Sequence, residues 1–304
     1  MGDALRAAPS SAAFGAALVG EGLLVPMGVP GLYGRDERLE GIITGVDRLV
    51  LRAGAADGAE PLRFPPTIPR SVLERSDYLR SFPHLAGTVH GFAGGEPEHA
   101  ALLDRLERGG RWWEGLPATE VVLTPAACYP VYPAISGTLP REGRLIDVCS
   151  DVFRHEPSDD PSRLQSFRMH EQVRAGTPEQ CLAHRDRWVE RGLALLQALD
   201  LPGQVQPAND PFFGRAGRML ASSQRERQLK LELMVPLGGV PTACASFNYH
   251  QDHFGSAFGI RTMRGVAHTA CIGFGLERMA LALLWRHGLK VERWPRPVRE
   301  LIGA

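Results

Sequence analysis

Two arginines stand in contexts suited to gripping phosphate. Arg154 lies in Phe153-Arg154-His155-Glu156. A polar loop and then Arg163-Leu164-Gln165-Ser166-Phe167 follow. An arginine at the end of a hairpin strand can hold an α-phosphate against a reacting carboxylate, stabilising a charged transition state. Glu156 can accept from an adenine amino group, and Phe167 offers an aromatic face to a flat base. The spacing alone fits a surface hairpin with an Arg–Glu pair equally well. Arg278 closes Gly273-Phe274-Gly275-Leu276-Glu277-Arg278 where a helical pattern begins. That string is not a dinucleotide fingerprint, because arginine stands where the third glycine is required. The only lysines are Lys230 and Lys290, and neither follows a phosphate-binding glycine loop. Phosphate recognition therefore falls to arginine forks, which match phosphate oxygens in geometry. Cys128, Glu171 and Cys271 carry donors that suit zinc. They are far apart in the chain, and nothing in their spacing forces them together. A buried cysteine is more often a small apolar filler. His170-Glu171 lacks the second histidine of a zinc-protease helix.

These residues need a scaffold. Leu145–Arg154 and Gln165–Val173 read as antiparallel strands around a loop rich in proline and aspartate. Thr177-Pro178-Glu179-Gln180 opens a helix with a capping box and proline at its first turn. Gln228–Val235 and Ala243–Tyr249 read as strands, and Leu276–His287 as a helix ended by Gly288. Apolar positions from Leu39 to Val50 repeat with helical spacing, and Glu98–Arg108 also reads helical. Hairpin-linked strands mixed with helices predict an α+β fold with an antiparallel sheet. Residues 1–20 are expected to be a flexible start, and 21–304 a single catalytic domain.

The chain of 304 residues carries 34 basic and 34 acidic groups, a formal net charge of zero. That balance argues against broad capture of a polyanion such as tRNA. Five cysteines without a Cys-x-x-Cys pair suggest reduced thiols and a cytoplasmic protein. No apolar stretch is long enough to cross a membrane.

Phe153-Arg154-x-Glu156, the loop, and Arg163-Leu164-x-x-Phe167 together resemble motif 2 of class II aminoacyl-tRNA synthetases. Gly273–Arg278 resembles their motif 3, whose arginine contacts the ATP γ-phosphate. The resemblance implies a class II antiparallel sheet flanked by helices. Lys230-Leu231-Glu232 is similar to the strand whose carboxylate faces ATP–Mg²⁺. Ala245-Ser246-Phe247-Asn248, then Asp252-His253-Phe254, resembles a seryl-tRNA synthetase strand with one extra residue before Asp252. Atypical, archaeal-type seryl-tRNA synthetases bind one zinc per subunit through Cys, Glu and Cys. Cys128, Glu171 and Cys271 occupy the matching places. By that resemblance Glu171 and Arg154 also face the amino acid, with the zinc taking its α-amine.

The likeness covers most of residues 60–290, with little room for a tRNA-binding domain before Phe64. Ser81-Phe82-Pro83-His84-Leu85, Phe153–Pro157 and Asp210-Pro211-Phe212-Phe213-Gly214-Arg215 resemble the amino acid:[carrier protein] ligases. That family keeps the synthetase core and zinc, activates glycine or alanine, and loads the phosphopantetheine thiol of an acyl carrier protein. Glycine is favoured here. Phe64-Pro65-Pro66 resembles the motif 1 region through which such cores form homodimers. Arg215, Arg218, Arg225 and Arg227 are the expected docking face for an acidic carrier, although a solvated helix face fits the same pattern. A minimal seryl-type synthetase and a non-catalytic paralogue are the alternatives. Both arginines and all three zinc ligands are intact, which speaks against the paralogue.

Overall fold

The computed structural model describes residues 10–304, except the side chains of Arg215, Ala216, Leu220 and Ser223. Its centre is a seven-stranded sheet. In chain order the strands are β1 (Glu60–Leu62), β2 (Arg144–Phe153), β3 (Ser166–Gly176), β4 (Gln204–Pro207), β5 (Lys230–Leu237), β6 (Val240–Gln251) and β7 (His268–Gly275). Across the sheet the order is β4-β5-β6-β7-β3-β2-β1. Every pairing is antiparallel except β1 with β2. The α+β expectation holds, including the hairpin of β2 and β3.

Alternation along the strands divides the molecule into two cores. On one face Leu233, Phe247, Ile272 and Phe274 meet three helices, α2 (Glu37–Gly54), α4 (Pro178–Ala198) and α6 (Leu276–His287). On the other, Ile146, Val148, Val173 and Cys271 meet Cys128, Tyr132 and Phe254. Helix α2 turns Leu39, Ile42, Ile43, Val46, Leu49 and Val50 inward, as their spacing predicts. The Asp36 carboxylate caps it by accepting from Leu39 N at 2.9 Å. Helix α4 starts at the expected capping box of Thr177 and Gln180. It lies close on the sheet because Gly192 has no side chain, and a Cβ there would stand 2.9 Å from the Phe247 ring.

Residues 11–20 depart from expectation. Ser11–Gly20 is a helix, α1, capped by Ser10, with Phe14 and Leu18 buried. Phe14 packs edge-on to Trp285 of α6 at 5.1 Å, and Ser11 donates to Asp160 at 3.0 Å. The small-residue composition hides an i, i+4 apolar pair, and burying each member contributes about 2 kcal/mol. The preceding residues of that expected flexible start lie outside the described part. The other helices named below are α3 (Glu96–Glu107) and α5 (Gly214–Glu226). Helix α3 begins two residues earlier than read, at Glu96, with Pro97 in its first turn. Among the described residues no helix is long and apolar enough to cross a membrane.

Helix α4 carries a pH liability. His184 is buried against the sheet, its Nε2 3.3 Å from the Gln172 carbonyl. Burial pulls its pKa from 6.5 down to about 4. The unfolded chain therefore binds a proton near pH 6.5 that the folded chain refuses until about pH 4. The stability this histidine supplies is complete above pH 6.5 and is lost as pH falls through 4, up to about 3 kcal/mol. Thermal unfolding followed by circular dichroism should show a falling midpoint over that window. The fall should be shallower in His184→Gln.

Candidate active site

The front of the sheet opens into a cleft of about 650 Å³, within the usual range for a small-molecule or nucleotide site. Arg154, Phe167 and Glu171 line it from β3 and the end of β2. Lys230 and Glu232 line it from β5, Ser246 and Asn248 from β6, Cys271 from β7, and Arg278 from α6. Segments more than a hundred residues apart thus converge as the spacing could only suggest.

Register explains the convergence. Lys230 pairs with Asn248 and Glu232 with Ser246, so their side chains share the front face. Leu231 and Phe247 alternate to the back. Phe247 is fully buried in the rear core and does not line the cleft, which corrects its expected place among the ATP-site residues. Ala245 borders both the cleft and that core. The extra residue before Asp252 is absorbed in a bulge: register shifts between Tyr249 and Gln251, and Gln251 takes a φ of 55°.

Arg154 is fixed at its root. Its Nε donates to the Pro125 carbonyl at 3.0 Å, and its guanidinium lies over the Phe167 ring at 5.6 Å. Arg278 donates from Nε to the Ser162 carbonyl at 2.8 Å and from Nη1 to the Ala243 carbonyl at 3.0 Å. Burial, with the neighbouring Arg154 and Arg163 charges, pulls its pKa down. Glu277 beside it faces the other way. Its buried carboxylate meets Arg35 at 3.1 Å and the Arg168 backbone N–H at 2.8 Å, which sets the phase of α6 and aims Arg278 forward. Glu156 and Arg163 form an ion pair at 3.3 Å. With Leu164 they lie outside the lining of the cleft.

Cys128, Glu171 and Cys271 come together in the cleft floor. Their donor atoms lie within 4.8 Å of one another, and all three residues are buried. Gly273 pairs with Glu171 across β7 and β3, which places Cys271 diagonally beside the carboxylate on the same face. Glu171 accepts from Ala127 N at 2.7 Å and from the Cys271 thiol at 2.5 Å. The neighbouring Cys271 favours the Cys128 thiolate, but burial and the Glu171 charge outweigh it and raise its pKa. Burial, then Cys128 and Glu171, lift the Cys271 thiol well above its usual value. Two thiols and a carboxylate confined in this way fit a thiophilic dication, with a fourth position left for a ligand. A second donor set, Asp47, Cys149 and His170, lies behind the sheet. There His170 already bridges Asp47 at 2.7 Å and Asp147 at 2.9 Å, tying α2 to β2.

With this geometry in view, comparison with known proteins gives a consistent answer. No protein-family model matches the chain. Amino acid–[acyl-carrier-protein] ligase 1 of Bradyrhizobium diazoefficiens is 47% identical over 282 residues, spanning 91% of this chain and 86% of that protein. The chain belongs to the amino acid–[acyl-carrier-protein] ligase family. The type-2 serine–tRNA ligase of Methanopyrus kandleri is 28% identical over 285 residues, and the match spans 84% of this chain but 53% of that protein. In the crystal structure of an A. aeolicus tRNASec complex with M. kandleri SerRS, one chain superposes with a TM-score of 0.83 at 23% identity. It covers 99% of this ligase and 62% of that chain. The ligase therefore has the class II synthetase catalytic fold.

The ligase also holds site residues that its sequence did not single out. Lys230 reaches Asp210 at 2.6 Å and Glu232 at 2.9 Å. Asp210 in turn accepts from Gln224 of α5 at 2.8 Å. Burial opposes both charges, yet each partner overcomes it: the Asp210 pKa falls and the Lys230 pKa rises. Tyr78, Tyr129 and Phe212 complete the wall. Asp210 and Phe212 stand in the Asp-Pro-Phe-Phe string noted in the sequence. The others lie in loops or helices whose local patterns give no sign of a shared cleft.

Proposed function

We propose that this ligase activates a small amino acid, glycine ahead of alanine, and transfers it to the phosphopantetheine thiol of an acyl carrier protein. The observation that carries the reading is the shared cleft: two arginines for polyphosphate stand above a buried Cys–Glu–Cys floor. The carrier-protein acceptor is supported by the names of relatives close to half identical over nearly the whole chain.

In the first half-reaction the amino acid carboxylate attacks the α-phosphorus of ATP and pyrophosphate leaves. Arg154 holds carboxylate and α-phosphate in line, which makes the encounter effectively intramolecular. Arg278 takes the γ-phosphate. Glu232 would hold Mg²⁺, and Lys230 keeps that carboxylate in place. Phe167, Ser246 and Asn248 form the nucleotide bed, with Glu156 and Arg163 closing over it from the motif 2 loop. Cys128, Glu171 and Cys271 would hold one zinc, which would supply a Lewis-acid position for the substrate α-amine and so select amino acids over plain acids. In the second half-reaction the carrier thiol attacks the carbonyl of the adenylate, and AMP leaves as the thioester forms.

Helix α5 supports the docking reading. Arg218, Arg225 and Arg227 are exposed along it and just beyond its end, and Arg227 also lines the cleft. The Arg215 side chain, named with them, lies outside the described residues. A homodimer through the Phe64–Pro66 region, one catalytic domain over 21–304 and a cytoplasmic setting complete the proposal.

ATP–pyrophosphate exchange tests it. Exchange should depend on glycine or alanine, and vanish when zinc is stripped by a chelator. Absence of exchange with both amino acids would overturn the reading. A seryl-type tRNA ligase is the second reading, favoured by the similarity to type-2 serine–tRNA ligases. It predicts serine-dependent exchange and charged tRNA.

A further inference from the structure

Tyr132 lies four residues after Cys128, on the short helix Val131–Ala134. It is fully buried, and its ring stacks on Phe254 at 3.9 Å with 8° between planes. Phe258 covers it further, at 6.1 Å. The ring is therefore clamped and its hydroxyl has a set direction. Among the described residues that hydroxyl makes no well-formed hydrogen bond, an uncommon state for a buried polar atom. It lies in one buried cluster with Cys128 and Cys271, and the Cys128 sulfur and the Glu171 carboxylate are among its neighbours. A neutral thiol is a weak acceptor, whereas a thiolate is a strong one.

We propose that Tyr132 is a positioning residue of the metal site, its hydroxyl donating to the Cys128 sulfur when that sulfur is a ligated thiolate. The proposal rests on the reading of Cys128, Glu171 and Cys271 as zinc ligands. Three anionic ligands around one dication leave a buried surplus of negative charge, which needs donors aimed at it. The Ala127 N–H serves Glu171 in this way. Among the side chains beside Cys128, Cys271 and Glu171 are themselves ligands, which leaves Tyr132 to donate. Outer hydrogen bonds of this kind orient ligands and tune metal affinity.

Tyr132→Phe removes the hydroxyl and keeps the aromatic stack. Zinc affinity of the full chain, measured by competition with a chromophoric chelator, should fall by about tenfold. In cobalt-substituted protein the thiolate-to-metal charge-transfer band should move to longer wavelength, because a sulfur that loses a hydrogen bond donates more readily. The metal-free variant should unfold at the wild-type temperature or slightly above it. Unchanged zinc affinity with an unchanged cobalt spectrum would overturn the proposal. So would a metal-free variant that unfolds many degrees lower, since the hydroxyl would then serve the fold. If wild-type protein binds neither zinc nor cobalt, the zinc reading itself fails; a wild type that binds both beside an unaltered variant removes only the role of Tyr132.

Discussion

Arg154→Ala and Arg278→Ala should each reduce amino-acid-dependent ATP–pyrophosphate exchange by about 10³-fold or more, the scale of losing a preorganised transition-state donor. The two losses should differ in form. On the proposed reading Arg154 sits where carboxylate and α-phosphate meet, so its removal should lower kcat with little change in the KM for ATP. On the same reading the Arg278 guanidinium faces the far end of the polyphosphate, so its removal should also raise the KM for ATP. Structural side effects should differ too. Arg154 is half-buried and anchored by one strong hydrogen bond, to the Pro125 carbonyl. Arg278 is also half-buried but donates to two carbonyls, and losing such charge-assisted bonds costs about 1.5–3 kcal/mol each. Arg278→Ala should therefore lower the unfolding temperature measurably, and Arg154→Ala should not. Wild-type exchange in either variant would remove that arginine from the mechanism.

Cys271→Ser should lower zinc content and amino acid activation together. The substitution keeps the small buried volume beside Glu171 and exchanges a thiolate for a hydroxyl that does not ionise at neutral pH. A site of three protein ligands then becomes a site of two, and metal content measured by elemental analysis should fall well below one per subunit. Exchange should fall in parallel, since the α-amine loses its partner. A variant that loses zinc but keeps exchange would detach the metal from amine recognition.

Parts of this site were legible in the chain because local physics dictates them. The β2–β3 hairpin follows from alternation around a proline-rich loop. Helix α4 follows from the Thr177–Gln180 capping box, and α6 ends where Gly288 permits. The Cys128, Glu171 and Cys271 set was legible only through resemblance. What joins them is sheet register, Gly273 opposite Glu171, and no local pattern encodes that. Asp210, Gln224 and Tyr132 were missed for a related reason: each matters through a partner on another element. Phe247 was misplaced because a motif names consecutive residues while a strand sends alternate ones to opposite faces. Residues 11–20 were misread because two apolar side chains, Phe14 and Leu18, outweigh a composition that suggests disorder.

In the proposed function the two arginines take the nucleotide and the buried floor takes the amino group, but neither names the acceptor. The most direct measurement is to incubate the protein with ATP, labelled glycine or alanine, and a pantetheinylated carrier protein beside a parallel sample of tRNA. The account predicts label on the carrier as a thioester, released by hydroxylamine or mild base, and none on the tRNA. Label on tRNA with an unlabelled carrier would contradict it.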